Sequence, residues 1–143
     1  MTGTDSPAAR FARALADRLN AVVPRPVRVC AEGGAVAVYV GADRWGSALA
    51  GEVIDQPEID EAGEPWPLAE RVETAARAVL SSVQDTVAES SREPWPRLPT
   101  GAMALPDARV EAGEVHLWYG PTEAAAVLTL PSLALDEFRE AAT

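Results

Sequence analysis

The sequence contains no lysine, one histidine and one cysteine, and these shortages exclude several classes of site. Cys30 is the only thiol, so no disulfide can form within the chain. His116 is the only imidazole, which excludes a metal site built on two histidines. The chain also lacks glycine-rich phosphate loops, the His-Glu-x-x-His zinc motif and paired Cys-x-x-Cys sequences. We therefore expect a protein that is not an enzyme and that uses no cofactor or metal ion.

Long apolar runs are absent as well. No run approaches the ~18 apolar residues that a membrane-spanning helix needs. The first residues lack the basic and apolar regions of a secretory signal. We therefore expect a cytoplasmic protein with no membrane partner.

Positive charge is scarce: 12 basic residues, all of them Arg, stand against 22 acidic residues, which gives a net charge of −10. An acidic surface repels phosphate groups, and this argues against nucleic acid as a partner. The only basic patch lies in the first 30 residues, and we interpret it as a solvated helix face and strand edge. Its members are Arg10, Arg13, Arg18, Arg25 and Arg28.

One long amphipathic helix is the strongest element that the sequence predicts. Residues Leu68 to Ser91 repeat apolar side chains at helical spacing, and a Glu-Pro-Trp-Pro tetrapeptide stands on each side, at 64–67 and 93–96. Each tetrapeptide predicts a helix boundary with its Trp anchored in the core. Glu73 and Arg77 have the spacing of an i,i+4 ion pair. With 143 residues and 48% apolar content, the chain is expected to form a single domain, residues 1–143.

Shorter elements are predicted on both sides of this helix. Before it, the patterns indicate a disordered start at 1–5, a helix beginning at Ser6-Pro7, a hairpin of strands 27–32 and 35–40, a third strand near 48–54, and an acidic loop at 52–64. After it, they indicate a hairpin of strands 108–111 and 114–120, a strand 124–130 ended by Pro131, and a helix at 135–142. Hairpins give antiparallel pairs. The expected fold is therefore α+β in the order α-β-β-(β)-α-β-β-β-α, with one antiparallel sheet of five or six strands and helices mainly on one face.

Two of these strands, 35–40 and 124–130, are apolar on both faces, a pattern typical of strands that are covered on both sides. The two main helices can cover only one side of the sheet. A second subunit or a client protein would cover the other, which favours a homodimeric protein-interaction module. Alternatively, the proline-rich crossing that contains Trp95 and Met103 folds over that side.

The candidate binding residues lie on the predicted strands 35–40 and 114–120. By alternation Glu114, His116 and Trp118 share one strand face, and Tyr39 lies on the first apolar strand. They would form either an interface or, in the alternative hypothesis, a small-ligand pocket between helix 68–91 and the sheet. A pocket lined by Tyr39, Trp118 and His116 would favour the small-ligand hypothesis. A flat apolar patch on the same strands would favour the protein-partner hypothesis. The interface hypothesis predicts that Trp118→Ala weakens association while the fold stays intact.

Four stretches carry a resemblance to uncharacterised small proteins of GC-rich actinobacteria: Gln84-Asp85, Glu93-Pro94-Trp95-Pro96, Met103-Ala104-Leu105-Pro106 and Val115-His116-Leu117-Trp118-Tyr119-Gly120. That family has no known activity. The order of elements, the small size and the acidic charge also resemble the type III secretion chaperone-like fold. This second resemblance implies a dimeric, ATP-independent protein binder, which agrees with a chaperone-like interaction module.

Overall fold

The computed structural model describes residues 6–55, 59 and 61–139, and it confirms the α+β class. The elements follow in this order: α1 (Pro7–Asn20), β1 (Val27–Glu32), β2 (Ala35–Val40), β3 (Asp43–Leu49), α2 (Gly51–Ile54), α3 (Leu68–Ser91), β4 (Pro106–Glu111), β5 (Glu114–Tyr119), β6 (Leu128–Ala134) and a 3-10 turn (Leu135–Phe138). Helix α3 and the first hairpin have the bounds that the sequence predicts. The predicted disorder at 1–5 and part of the acidic loop, 56–58 and 60, lie outside the described residues.

Helix α1 begins where Ser6 and Pro7 predict it. The Ser6 hydroxyl accepts a hydrogen bond from Ala9 N at 3.1 Å. The Asp55 carboxylate accepts one from Ala8 N at 3.0 Å. Both oxygens bind N–H groups that the first turn of a helix leaves without a partner. Asp55 belongs to the acidic stretch, so this carboxylate has a structural role at the positive end of a helix dipole.

Replacing Ser6 by alanine is expected to lower the free energy of unfolding by about 1 kcal/mol, because Ala9 N loses its acceptor. Ser6→Asp keeps an acceptor and should stay within about 0.5 kcal/mol of the wild type. Urea unfolding followed by circular dichroism measures both variants. An equal loss in the two would contradict the capping argument.

The strands form two three-stranded antiparallel sheets, in the orders β1-β2-β3 and β4-β5-β6, and not the single sheet that the sequence predicts. Helix α1 contacts β1 and β2, whereas α3 contacts β4 and reaches β3. The prediction was wrong because hairpin patterns determine pairing only between neighbouring strands. Pairing between the two groups depends on whether their edges are open, which the strand sequences do not reveal.

Helix α3 closes the edge of β4. The Glu73 carboxylate accepts a hydrogen bond from Val110 N at 2.7 Å. Arg77 Nη1 donates to Ala108 O at 3.1 Å and lies 3.5 Å from the Asp107 carboxylate. Glu73 and Arg77 therefore bind the strand and not each other, in place of the predicted i,i+4 pair. They occupy backbone groups that a further strand would need.

The other sheet edges are also interrupted. In β1, the Asn20 side chain donates to Val29 O at 2.6 Å and accepts from Val29 N at 2.8 Å. The pairing of β3 with β2 shifts register at Trp45, and Pro131 lies within β6. Bulges, prolines and side-chain bonds of this kind keep natural sheets from pairing with other chains. We therefore expect no association by strand addition.

One apolar cluster joins both sheets and both long helices. Tyr119 is fully buried in it, its hydroxyl donates to Leu80 O at 2.8 Å, and burial raises its pKa. At the other end of the cluster, Phe138 meets Phe11 edge to face with ring centroids 5.3 Å apart. Among the described residues no helix is both long and apolar enough to cross a bilayer.

Three local predictions were wrong. The third strand occupies 43–49, and the residues expected to end it form α2 instead, because β3 is defined by its pairing with β2 and not by its own apolar pattern. The last strand begins at Leu128 and runs through Pro131, which an edge position tolerates because no ladder N–H is needed there. The closing helix is only a 3-10 turn at 135–138, and 140–143 lie outside the described residues.

The two Glu-Pro-Trp-Pro tetrapeptides bound α3 as predicted, but their Trp side chains differ. Trp95 packs on the core, with its ring centroid 5.4 Å from that of Tyr119. Trp66 remains 37% exposed. The tetrapeptide therefore predicts a helix boundary, whereas anchoring of its Trp depends on what the fold places beside it.

Candidate functional site

The four candidate residues lie on two different sheets. Tyr39 belongs to β2 of the first sheet, whereas Glu114, His116 and Trp118 belong to β5 of the second. They do not line one pocket. The side of each sheet that faces away from the helices therefore forms a separate candidate site.

The first site is the side of the first sheet that carries Tyr39, which we call the outer face. The register of β1 and β2 places Arg28 opposite Tyr39 and Cys30 opposite Ala37. On its other side, Tyr39 is opposite Arg44 of β3. Among the described residues no element covers the outer face. Its side chains are Arg28, Cys30, Glu32, Ala35, Ala37, Tyr39, Arg44 and Ser47.

A polar network crosses the outer face from β1 to β3. The Tyr39 hydroxyl donates to Glu32 Oε2 at 2.7 Å, and Arg44 Nη2 donates to Glu32 Oε1 at 2.9 Å. The hydrogen bond from Arg44, followed by that from Tyr39, lowers the pKa of the Glu32 carboxyl. The same bond raises the pKa of Tyr39, because ionised tyrosine could no longer donate to the carboxylate. Tyr39 is thus held in one position.

This network depends on pH through Glu32. Because its pKa is lower in the folded protein than its ordinary value of 4.5, its contribution to stability is present above that value. The contribution is lost as the pH falls through the lowered pKa. The carboxylate is exposed, so solvent screening keeps the effect small. Acid would therefore disturb the arrangement of the outer-face side chains and not the fold.

Arg28 stands over the Tyr39 ring with its guanidinium carbon 5.0 Å from the ring centroid. Among the described residues no carboxylate forms an ion pair with it. Ala35 and Ala37 lie on the same face, and Ala37 is 0% exposed although none of the described helices packs on this side. Small side chains are shielded by their neighbours, so the apolar pattern of β2 does not require the second subunit that the sequence suggested.

The second site lies on the far side of the second sheet, where residues 121–127 fold back over β5. Glu123 binds His116 Nδ1 at 2.8 Å and Arg109 Nη2 at 3.3 Å. Arg109 also pairs with Glu111 at 2.8 Å. Trp118 is only 4% exposed, and it lies beside Pro121, Thr122 and Glu123 of this segment. The chain therefore covers this part of its own sheet, with 121–127 and not with the proline-rich crossing.

A cleft of about 430 Å³ lies between α3 and this sheet, with Trp118 in its lining. The small-ligand pocket that the sequence predicts beside helix 68–91 was expected to contain both Trp118 and His116. The charges that line it are already bound within the protein: Arg77 to Asp107, Arg109 to Glu123, and Glu73 to Val110 N. The buried Trp118 Nε1 has no hydrogen-bond partner. His116 does not line the cleft but holds Glu123, which does.

The basic patch of the first 30 residues has a structural use. Arg10 donates to Glu137 O at 2.8 Å and to Arg139 O at 2.7 Å. Arg18 Nη2 donates to Ser132 O at 3.3 Å. These bonds tie α1 to the C-terminal end of the described chain. Two of the five arginines in the patch therefore bind backbone carbonyls, and no phosphate ligand is needed to explain them.

The sequence prediction missed Arg28, Glu32 and Arg44 as members of a site. The Gly33-Gly34 hairpin already implies that Arg28 faces Tyr39, so this signal was present in the sequence. No such signal exists for Arg44, because the bulge at Trp45 sets its register. Glu123 carries no signal either, since it precedes a stretch that reads as a strand.

Among residues 6–55, 59 and 61–139, no group of three or more His, Cys, Asp or Glu side chains is placed to hold a metal ion. Comparison of the chain with protein-family models, with curated proteins and with solved structures finds no match.

Proposed function

We propose that the chain is a non-enzymatic protein-interaction module that binds a polypeptide partner on the outer face of the first sheet. The observation that carries this proposal is the ordered Arg28–Tyr39–Glu32–Arg44 cluster on a face that no described element covers. Arg and Tyr are enriched at the centres of protein interfaces, where they supply large contacts with directed hydrogen bonds.

The side chains of the cluster are held in place before binding, and this supports a binding role for the face over a purely solvent-exposed one. Tyr39 is fixed by its bond to Glu32, and the Arg28 guanidinium rests on its ring. Side chains that are already held in place lose less conformational entropy when a partner binds.

The expected homodimer stays a prediction, and two magnitudes argue for a different partner. Three strands of six residues measure about 14 Å by 20 Å, or roughly 300 Å², whereas a stable interface buries about 800 Å² on each partner. Two copies would also bring together net charges of −10, and this repulsion opposes association. A short segment of another protein fits the face better than a second copy.

Site-specific crosslinking in an extract of the cells that make the protein tests this proposal. A photoreactive benzophenone is attached at Ser47→Cys on the outer face, in a Cys30→Ser background. The control carries it at Glu89→Cys on the exposed side of α3. We expect a crosslinked polypeptide from the outer-face position alone, and unlabelled wild-type protein should compete it away. The proposal would be overturned if both positions gave the same crosslinked products. It would also be overturned if unlabelled wild-type protein competed away none of the products.

The size of the product decides between partners. A product of twice the chain's mass means a second copy on the face and restores the homodimer. Any other mass means a different polypeptide. Light scattering over a concentration series gives an independent answer on self-association.

A small-ligand site in the cleft beside Trp118 is the second candidate. It is supported by the position of the cleft between α3 and the second sheet and by the unpartnered Trp118 Nε1. It ranks second because the charges of the cleft are already paired. A fragment screen read by the Trp118 indole N–H resonance tests it, with the exposed Trp45 indole as the control. If no fragment shifts the Trp118 resonance selectively, the cleft binds no ligand of this kind.

A further inference from the structure

We infer that the outer face recognises an acidic polypeptide segment, with an Asp or Glu carboxylate of the partner bound by Arg28. This inference rests on the proposed function and adds the chemistry of the partner. It is carried by the contrast between the two arginines of the face. Arg44 is bound to Glu32 at 2.9 Å, whereas Arg28 has the Tyr39 ring as its neighbour and no described carboxylate.

Arg28 is prepared for a carboxylate. A guanidinium presents a planar fork of N–H donors that matches the two oxygens of a carboxylate. Its guanidinium carbon lies 5.0 Å from the Tyr39 ring centroid, so a cation–π contact favours this position of the side chain. Tyr39 is in turn fixed by Glu32. The chain Glu32–Tyr39–Arg28 thus holds the donors in place before any partner arrives.

The charge of the face differs from that of the whole protein. The outer face carries Arg28, Arg44 and Glu32, so its net charge is +1, whereas the chain carries −10. An acidic segment is therefore attracted to this face, which gives orientation as well as affinity. A basic partner finds no unoccupied carboxylate among the side chains listed for this face, because Glu32 already accepts from Tyr39 and Arg44.

Selection from a random twelve-residue peptide library displayed on phage tests the inference on the full chain. Wild-type protein is the bait, and the selected peptides are measured by fluorescence anisotropy against three proteins: wild type, Arg28→Gln and Arg97→Gln. Arg97 is also an exposed arginine, it lies outside both sheets and is paired with Glu93 at 3.8 Å, and this control removes the same charge. Protection of the Cys30 thiol from alkylation reports whether a peptide lies on the outer face.

We expect the selected peptides to be enriched in Asp and Glu, to protect Cys30, and to bind Arg28→Gln about ten-fold more weakly than wild type, as the loss of one charge-assisted contact implies. Arg97→Gln should bind as wild type does. If the selected peptides protect Cys30 but are not enriched in Asp and Glu, the inference of an acidic partner is wrong. The proposal of a protein-interaction module would still hold. If no selected peptide protects Cys30, both proposals fail.

Discussion

Replacing Trp118 by alanine is expected to lower the free energy of unfolding by about 3 kcal/mol, the lower end of the range for a buried Trp. Trp118 is 4% exposed, between its strand neighbours and the segment 121–127. Removing the indole leaves a cavity that a segment held by its own ion pairs can fill only partly. Urea unfolding followed by circular dichroism measures the loss.

This expectation replaces the one drawn from strand alternation, which treated Trp118 as an exposed interface residue. The control is Trp45→Ala, whose side chain is 47% exposed, and which should change stability by no more than about 0.5 kcal/mol. Trp118→Phe separates volume from polarity, because the indole N–H has no partner to lose. A Trp118→Ala variant as stable as wild type would mean that 121–127 does not cover the side chain in solution.

Replacing Gly120 by alanine is expected to cost about 3 kcal/mol or more, because a strained backbone and a steric clash act together. Gly120 has φ +145°, a conformation that side-chain-bearing residues rarely adopt. A Cβ there would lie 2.8 Å from Ala126 Cα and 3.1 Å from Ala125 O, which are backbone atoms that cannot rotate away. The segment 121–127 would have to lift from β5.

The matched control for this change is Gly46→Ala in β3, where a Cβ meets no atom within 4 Å. We expect the control to stay within about 0.5 kcal/mol of wild type. If Gly120→Ala lifts the segment, Trp118 becomes accessible, and acrylamide should quench its fluorescence more strongly than in the control. A stable Gly120→Ala protein with unchanged quenching would contradict the close approach of Ala126.

Local patterns predicted the elements whose causes are local. Helix α3 could be read from its apolar repeat and its flanking prolines, and α1 from Ser6 and Pro7. The Gly33-Gly34 and Ala112-Gly113 turns predicted both hairpins, since two-residue loops with glycine determine the register of their strands. Tyr39 lies in β2, the strand that the sequence predicts at 35–40, but its neighbours Glu32 and Arg44 were not singled out.

The prediction failed where a contact between distant parts of the chain decided the outcome. Glu73 and Arg77 have the spacing of an intrahelical pair, yet the edge of β4 offered them backbone partners. Trp118 alternates with core residues and so reads as exposed, yet 121–127 returns over it. In both places the deciding partner lies elsewhere in the chain, and a strand pattern describes only which side a residue faces, not what covers that side.

By itself, the sequence determined the α+β class, the long helix, the two hairpins and the acidic charge, because periodicity, turn residues and composition act within a few residues of their cause. Only the tertiary structure decided that the strands form two sheets, that Trp118 is buried, and that Arg28, Tyr39, Glu32 and Arg44 form one cluster. These features depend on strand edges, a bulge and a returning loop. Their energies come from contacts between residues far apart in the chain, which no local pattern records.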